Sequence, residues 1–348
     1  MKKGAVWKHL VPGLLIAAAA LYLTYRKTDG EALFRALGQI HWPLLVLVLP
    51  PLVSSYVFRV IRWRKLLVPL GDVSVRDASG PLITGFFVNT LLPGRVGEIL
   101  RALLLSRRTG IPRAGSFATV VLARIFDGLT LAAMTLIVLT VLWTRLDGAT
   151  RLGLAAAGAM YVAFLVMLAS LHRYRERAAG MLAAPLRWIG LRKQALRLQV
   201  LLLSFARGLD SLRDWRDTLK VSLYSILVWG SLTVSVIPVF LAMDLAVIWY
   251  YPVMLLVLAG LGMLIPTPAG TGTVHGALVL VLPALIGITQ QTTRVLALLF
   301  HTTQFLPVIA VGLVVALREG VTAAQVSRIA ENEDEMSVPG PGSMLEEE

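Results

Sequence analysis

The sequence predicts an all-α polytopic membrane protein of about six full transmembrane helices and two re-entrant helical hairpins, related as an inverted internal repeat. Three observations carry this expectation. Of 348 residues, 57% are hydrophobic and only 15% charged, with a mean hydropathy of +0.75, whereas a soluble domain carries about 25% charged residues. The apolar residues come in runs of roughly twenty, the length that crosses a bilayer. Two further apolar stretches are interrupted by glycine and proline, and their interruptions resemble each other.

Composition also excludes several function classes. There is no cysteine, and the five histidines are scattered, so disulfides, thiolate chemistry and a zinc cage are set aside and no metal or cofactor is expected. The formal charge is +13, but seven acids lie after residue 330 with no Lys or Arg among them, so 33 basic residues face 13 acidic ones in the first 330. No zinc-finger spacing or separable basic helix accompanies that excess, so nucleic acid is not a predicted partner. Basic loops facing anionic lipid headgroups at the cytoplasmic face explain it better.

The elements follow in order. Lys2, Lys3 and Lys8 precede the apolar run Leu10 to Tyr25, which lacks a small-residue cleavage site and reads as an uncleaved first span. A second span from Pro43 to about Ile61 ends in Arg59, Arg62, Arg64 and Lys65, a positive cluster that marks the cytoplasmic side and places the amino terminus there too. Pro81 to Leu92 and Glu98 to Leu105, separated by Pro93-Gly94, are each too short to cross and predict a re-entrant hairpin whose broken backbone faces protein or a wet cavity. Phe117 to Trp143 is a long span and Leu152 to Leu171 its return; residues 172–220, with eleven Lys or Arg against four acids, form a basic cytoplasmic segment. Leu219 to Met243 crosses again. Leu245 to Ile265, broken at Pro266 and Pro268 and followed by Gly276 to Leu282, predicts a second hairpin entered from the other side, although its first limb is long enough to span. Arg294 to Leu317 is the last span. Residues 1–330 are thus one membrane domain, with repeats at about 43–143 and 219–317, and 331–348 a disordered acidic tail.

The two broken segments align. Gly85 to Pro93 matches Gly260 to Pro268 at an offset of 175; Gly110-Ile111 matches Gly287-Ile288, and fourteen residues after each glycine stand Arg124 and His301, at an offset of 177. Three full spans between the hairpins invert the second copy. Inverted repeats with broken helices meeting near the midplane belong to alternating-access transport.

Asn89 with Leu92-Pro93-Gly94-Arg95-Val96-Gly97-Glu98 and Arg101, then Gly110-Ile111 and Arg124-Ile125-Phe126-Asp127, resemble the membrane region of lysylphosphatidylglycerol synthases and its stand-alone, flippase-like relatives. The later Pro266-Thr267-Pro268-Ala269-Gly270-Thr271-Gly272 and Phe305-Leu306-Pro307 are similar too, and the likeness spans roughly residues 5 to 320. Where the second copy of the family motif carries a Glu and a later Arg, this chain has His275 and His301. The short stretch after the last span leaves no place for the synthases' aminoacyl-transferase domain, so the resemblance implies lipid movement without lipid synthesis.

Arg124 and Asp127 lie three apart, on one face of a long span. Ionisable groups there are costly and face a partner or water, so Arg124 pairs with Glu98 or Asp127, binds substrate, or does both. On the binding reading Arg95, Arg101 and Arg124 hold a lipid phosphate through forked donors, Glu98 attracts a cationic headgroup or holds an arginine, and Gly94 and Gly97 let backbone N–H groups approach an anion. Asn89 lies in the same motif. In the second copy His275 and His301, with Thr271 and Gln304 nearby, stand either as packing residues or as a pair that couples transport to protons.

The expected activity is a lipid flippase or scramblase that moves an anionic, aminoacylated or glycosylated headgroup, polyprenyl phosphate included, across the cytoplasmic (inner) membrane of a bacterium or archaeon. Self-association is left open. A transferase acting on a lipid carrier is the alternative, with Asp29/Glu31 and Asp72/Asp77 as its only early acid pairs; an accessory subunit of envelope biosynthesis is the third.

Overall fold

The structure is a computed structural model that describes residues 5–26, 28–93, 95–143, 215–322 and 325–326, with scattered residues between 148 and 202, of which 176–188 are helical. Every regular element described is a helix: α1 (Ala5–Tyr25), α2 (Gly30–Gly38), α3 (Leu49–Leu67), α4 (Val75–Leu91), α5 (Val96–Thr109), α6 (Arg113–Leu142), α7 (Trp215–Ala242), α8 (Tyr250–Gly262), α9 (Thr273–Ile286) and α10 (Gln290–Arg318). Short 3-10 turns at Trp42–Val48 and Pro268–Gly270 lead toward α3 and α9.

Local chemistry sets the boundaries. The Ser74 side chain accepts from the Asp77 N–H and starts α4 six residues before Pro81, which therefore lies inside the helix. Thr289 caps α10 in the same way, accepting from the Thr292 N–H. Gly110 and Gly287 end α5 and α9 in the left-handed region, φ 74° and 73°, where a side chain would be strained. The matched pair of C-caps turns the chain alike into α6 and α10.

Among the described residues, five segments are long and apolar enough to cross a membrane: Trp42–Leu70, Gly115–Leu142, Trp215–Ala242, Pro268–Ile286 and Gln290–Arg318. The protein is a multi-pass membrane protein. Four of the six spans expected from sequence fall on these helices. The expected first span is the shorter apolar helix Val11–Tyr25. The expected return at 152–171 lies largely outside the described residues, as do much of 172–220 and all of 331–348. Leu245 to Ile265 is helical only over the 13 residues of α8, about 20 Å. Pro268–Ile286, expected as one limb of a hairpin, has the length to cross, yet Ala269 at φ 52° separates its first turn from α9.

Two helix–break–helix units organise the bundle. α4 packs along α5 and α5 against α6; α8 packs along α9 and α9 against α10. α4 also touches α3 and α10, while α8 touches α7 and α6; α3 lies along α7. Exchanging α3–α6 for α7–α10 maps this set of contacts onto itself.

The helix ends sort onto two faces. On one, Arg108 near the end of α5 pairs with Glu319 just beyond α10 at 2.7 Å, and Arg64 Nε donates to the Val73 carbonyl at 2.6 Å beside the start of α4. On the other, the His41 N–H donates to the Ala242 carbonyl at 2.9 Å and Arg294 Nε to that of Thr24 at 2.9 Å. Both limbs of the α4/α5 unit open toward the first face. Those of α8/α9 open toward the second, where α2 lies with Leu33, Ala36 and Leu37 turned inward and Phe34 exposed.

Close backbone approach holds each unit together. A Cβ on Gly85 would stand 2.6 Å from the Gly97 carbonyl oxygen, and one on Gly97 would collide with that of Gly85. In the second unit Gly262 occupies the corresponding crossing, 2.7 Å from Val274 Cα by the same construction. Gly262 lies 177 residues after Gly85, and Val274 the same distance after Gly97. α1 lies over the junction of the two breaks. A Cβ on its Gly13 would stand 2.9 Å from Pro93 Cγ and 3.3 Å from the Pro266 carbonyl oxygen.

Because the crossing has no room for a methyl group, Gly97→Ala is expected to lower stability by about 1–3 kcal/mol. Gly128→Ala, where the added Cβ meets nothing within 4 Å, leaves it within about 0.5 kcal/mol. Thermal unfolding in detergent, compared at equal protein, checks both.

Candidate functional site

The polar centre of the bundle is built on Asp127 of α6. Its Oδ1 accepts from Arg62 Nη1 at 2.8 Å and from Trp229 Nε1 at 3.3 Å; its Oδ2 is 3.5 Å from Arg59 Nη1 and 3.6 Å from Arg124 Nη1. Arg59 and Arg62 come from α3, Trp229 from α7. Arg62 Nη1 also donates to Ser225 Oγ of α7 at 2.9 Å, so one carboxylate ties three helices. Arg124 Nε donates to Glu98 Oε1 of α5 at 2.6 Å, which brings the first broken unit into the network.

Aromatic faces line the cluster. The guanidinium carbons of Arg59 and Arg124 stand 5.0 and 5.3 Å from the Phe86 ring centre. Arg101 stacks on Trp63 at 3.6 Å, and Trp63 Nε1 donates to Thr119 Oγ1 at 2.9 Å. Such contacts offset about 2 kcal/mol of a desolvated cation's cost. Relative exposures are 9% for Arg59, 2% for Arg62, 6% for Arg101 and 7% for Asp127, whereas the Arg124 side chain is 31% exposed. Arg124 is the point at which the cluster opens.

A second polar cluster lies on α9 and α10. His275 of α9 and His301 of α10 have ring centres 4.8 Å apart and stand 177 residues after Glu98 and Arg124, which form the 2.6 Å pair. Gln304 stands 177 after Asp127 and bonds Ser235 of α7, Nε2 to Oγ 3.1 Å. The Gly272 N–H donates to His275 Nδ1 at 3.3 Å, so neutral His275 carries its proton on Nε2. Thr271 Oγ1 is 3.5 Å from His301 Nε2, and His301 Nδ1 is buried without a partner.

Several expected residues are placed differently. The Gly97 N–H donates to Asn89 Oδ1 at 2.8 Å, so Asn89 caps α5 from α4, and Gly97 has no free N–H for an anion. Arg95 stands exposed at the break at φ 62° and makes no hydrogen bond or ion pair through its side chain with another described residue. Gly94 lies outside the described residues. Arg59 and Arg62, expected as part of a cytoplasmic cluster with Arg64 and Lys65, are instead buried inside the bundle; the motif-based reading passed them over because they sit close to a span end. Two basic residues three apart, both before the end of an apolar run, are the signal that could have found them.

The sequence profile of the lysylphosphatidylglycerol synthase TM region matches residues 10–312. The chain belongs to that family. A curated protein of Haloferax volcanii described as glycosyltransferase AglD is 30% identical over 155 residues, 43% of this chain and 22% of that protein. The chain therefore spans about a fifth of the length of that relative.

In this member of the synthase TM-region family, Asp127→Asn leaves Arg59 and Arg62 buried without a counter-charge and is expected to cost about 3–5 kcal/mol. Asp244→Asn, which removes the exposed contact with His41 at 3.1 Å, changes stability by less than about 1 kcal/mol. Unfolding midpoints of the two variants in detergent separate these outcomes.

Proposed function

We propose that the protein moves the polar headgroup of a lipid between leaflets, with the tails left in the bilayer. The observation that carries this reading is the buried cluster of Arg59, Arg62, Arg101 and Arg124 around Asp127 and Glu98. Ionisable groups inside a membrane bundle are expensive and mark a pathway or a partner. Membership of the lysylphosphatidylglycerol synthase TM-region family agrees with work on lipids.

On this reading α4/α5 and α8/α9 are re-entrant hairpins that enter from opposite faces and form an inverted repeat. The first face, which holds Arg64, Lys65, Arg76, Arg107, Arg108 and Arg318, is cytoplasmic by the positive-inside rule. The amino terminus is cytoplasmic as well, in the inner membrane of a prokaryote. A headgroup passes beneath α1 where the two breaks meet, held by the arginines in one half and by His275, His301 and Thr271 in the other. Chemistry on the substrate has no part in it.

The glycosyltransferase description of the Haloferax relative favours a second reading, transfer onto a lipid carrier. The acid pairs that such chemistry would recruit have structural work instead. Asp29 Oδ1 caps α2 by accepting from the Glu31 N–H at 3.0 Å, and Asp77 Oδ2 accepts from the Ser74 hydroxyl at 2.6 Å. Both lie at helix starts away from the cluster.

Leaflet exchange of fluorescent headgroup-labelled lipids in proteoliposomes decides between them. Native protein is expected to exchange lipid, with Arg124→Ala and Glu98→Gln each slowing exchange about tenfold or more, the worth of one charge-assisted hydrogen bond. No exchange of any lipid by folded protein would shift the balance to the transferase. Replacing both His275 and His301 by glutamine is expected to alter the dependence of exchange on pH; an unchanged profile would leave the pair a packing contact.

A further inference from the structure

We infer that the arginine cluster takes a terminal phosphate carrying two negative charges, as on a phosphomonoester, in preference to a phosphodiester or a zwitterionic headgroup. This narrows the headgroup reading above and rests on it for the route, though not for the chemistry of the site.

Charge arithmetic is the first ground. Four arginines, Arg59, Arg62, Arg101 and Arg124, face two carboxylates, Asp127 and Glu98, which leaves two positive charges uncompensated. Both carboxylates are already engaged: Asp127 by Arg59, Arg62, Arg124 and Trp229, and Glu98 by Arg124 at 2.6 Å. Neither forms an ion pair with Arg101. A buried cation left unpaired is costly, so the site is complete only with an anion in it.

Unused donors are the second. Arg101 is 6% exposed, its guanidinium meets the Trp63 face at 3.6 Å, and its Nε has no hydrogen-bond partner. No carboxylate of a described residue forms an ion pair with it. Arg62 Nε, in a residue 2% exposed, is likewise unpartnered. An indole face is no hydrogen-bond acceptor for an in-plane N–H, so these donors point to a ligand with several acceptor oxygens. A terminal phosphate has three such oxygens and a charge of about −1.5 to −2 at pH 7. It matches both the donor geometry of guanidinium forks and the excess charge. A phosphodiester brings one charge and leaves one arginine uncompensated; a zwitterion brings none.

The terminal phosphate can belong to a lipid or be free, and binding to the full-length protein in detergent distinguishes these. Ligand-induced shifts of thermal unfolding would be titrated with phosphatidic acid, phosphatidylglycerol, phosphatidylcholine and inorganic phosphate. Phosphatidic acid is expected to bind about tenfold or more tightly than phosphatidylglycerol, with phosphatidylcholine weaker still. Inorganic phosphate binding as tightly as phosphatidic acid would keep the dianion and make the free ion the ligand. Arg101→Gln removes one charge and is expected to erase the preference, whereas Arg101→Lys retains most of it. If Arg101→Gln does not fold, pH supplies the second arm in native protein. Lowering pH from 8 to 5 protonates the phosphomonoester, whose second pKa is about 6, and should narrow its advantage while leaving the phosphodiester unchanged. Equal binding of phosphatidic acid and phosphatidylglycerol, or a preference indifferent to both Arg101→Gln and pH, would overturn the inference. Dianion binding without leaflet exchange would instead leave it standing and remove transport.

Discussion

One carboxylate holds the centre of this bundle in register. Asp127 receives Arg62 and Arg59 from α3, Trp229 from α7 and Arg124 from its own helix, and in an apolar surrounding the buried Arg59, Arg62 and Asp127 have no water as an alternative partner. Separating α3 from α6 would strand two cations. The apolar contacts of α3, α6 and α7 are not directional and would tolerate sliding or rotation, whereas the ion cluster has only one arrangement in which all its bonds form together. The long contact between α3 and α7 is thus fixed in rotation by polar atoms and filled in by apolar ones.

The same backbone frame carries two unlike polar centres. Gly110 and Gly287 turn their chains identically, and positions 177 apart come together in each half, Glu98 with Arg124 and His275 with His301. Even the outer bond is repeated: Asp127 reaches α3 and Gln304 reaches α7. Yet the polar centre of one half is built on arginines and carboxylates, and that of the other on two histidines and Gln304. Two polar centres so unlike cannot bind the same ligand equally, since one offers charge-assisted hydrogen bonds and the other weaker ones.

Much of this was legible in the sequence, for reasons that differ by element. The long spans are read from runs of apolar residues, and α3, α6, α7 and α10 fall where they were expected. The Glu98–Arg124 pair was legible because two charges in apolar segments must find each other, and His275 with His301 because the repeat places them on the same frame. Arg59 and Arg62 were misassigned because a basic residue near a span end satisfies the positive-inside rule whether it faces headgroups or a buried carboxylate. Only the three-dimensional position of Asp127 decides. Asn89 and Gly97 were read as binding residues because a glycine beside an amide suits an anion as well as a helix crossing. The contact of Gly97 with the Gly85 carbonyl, twelve residues away along the chain, is set by how α4 folds back on α5.

The first helix stands outside the repeat, and its position constrains what the two halves can do. Gly13 sits against both Pro93 and Pro266, the ends of the two broken units, and Gly272 at the start of α9 lies against the α1 backbone at Ala17 and Leu21. At the far end Thr24 and Tyr25 bond Arg294 of α10. Any displacement of one broken unit relative to the other must either carry α1 along or part a glycine-close contact. Since those contacts are dispersive and lack hydrogen bonds between side chains, parting them costs little per atom, while the ion cluster below resists. Relative motion is therefore cheapest along the α1 surface, which is also where the two breaks meet.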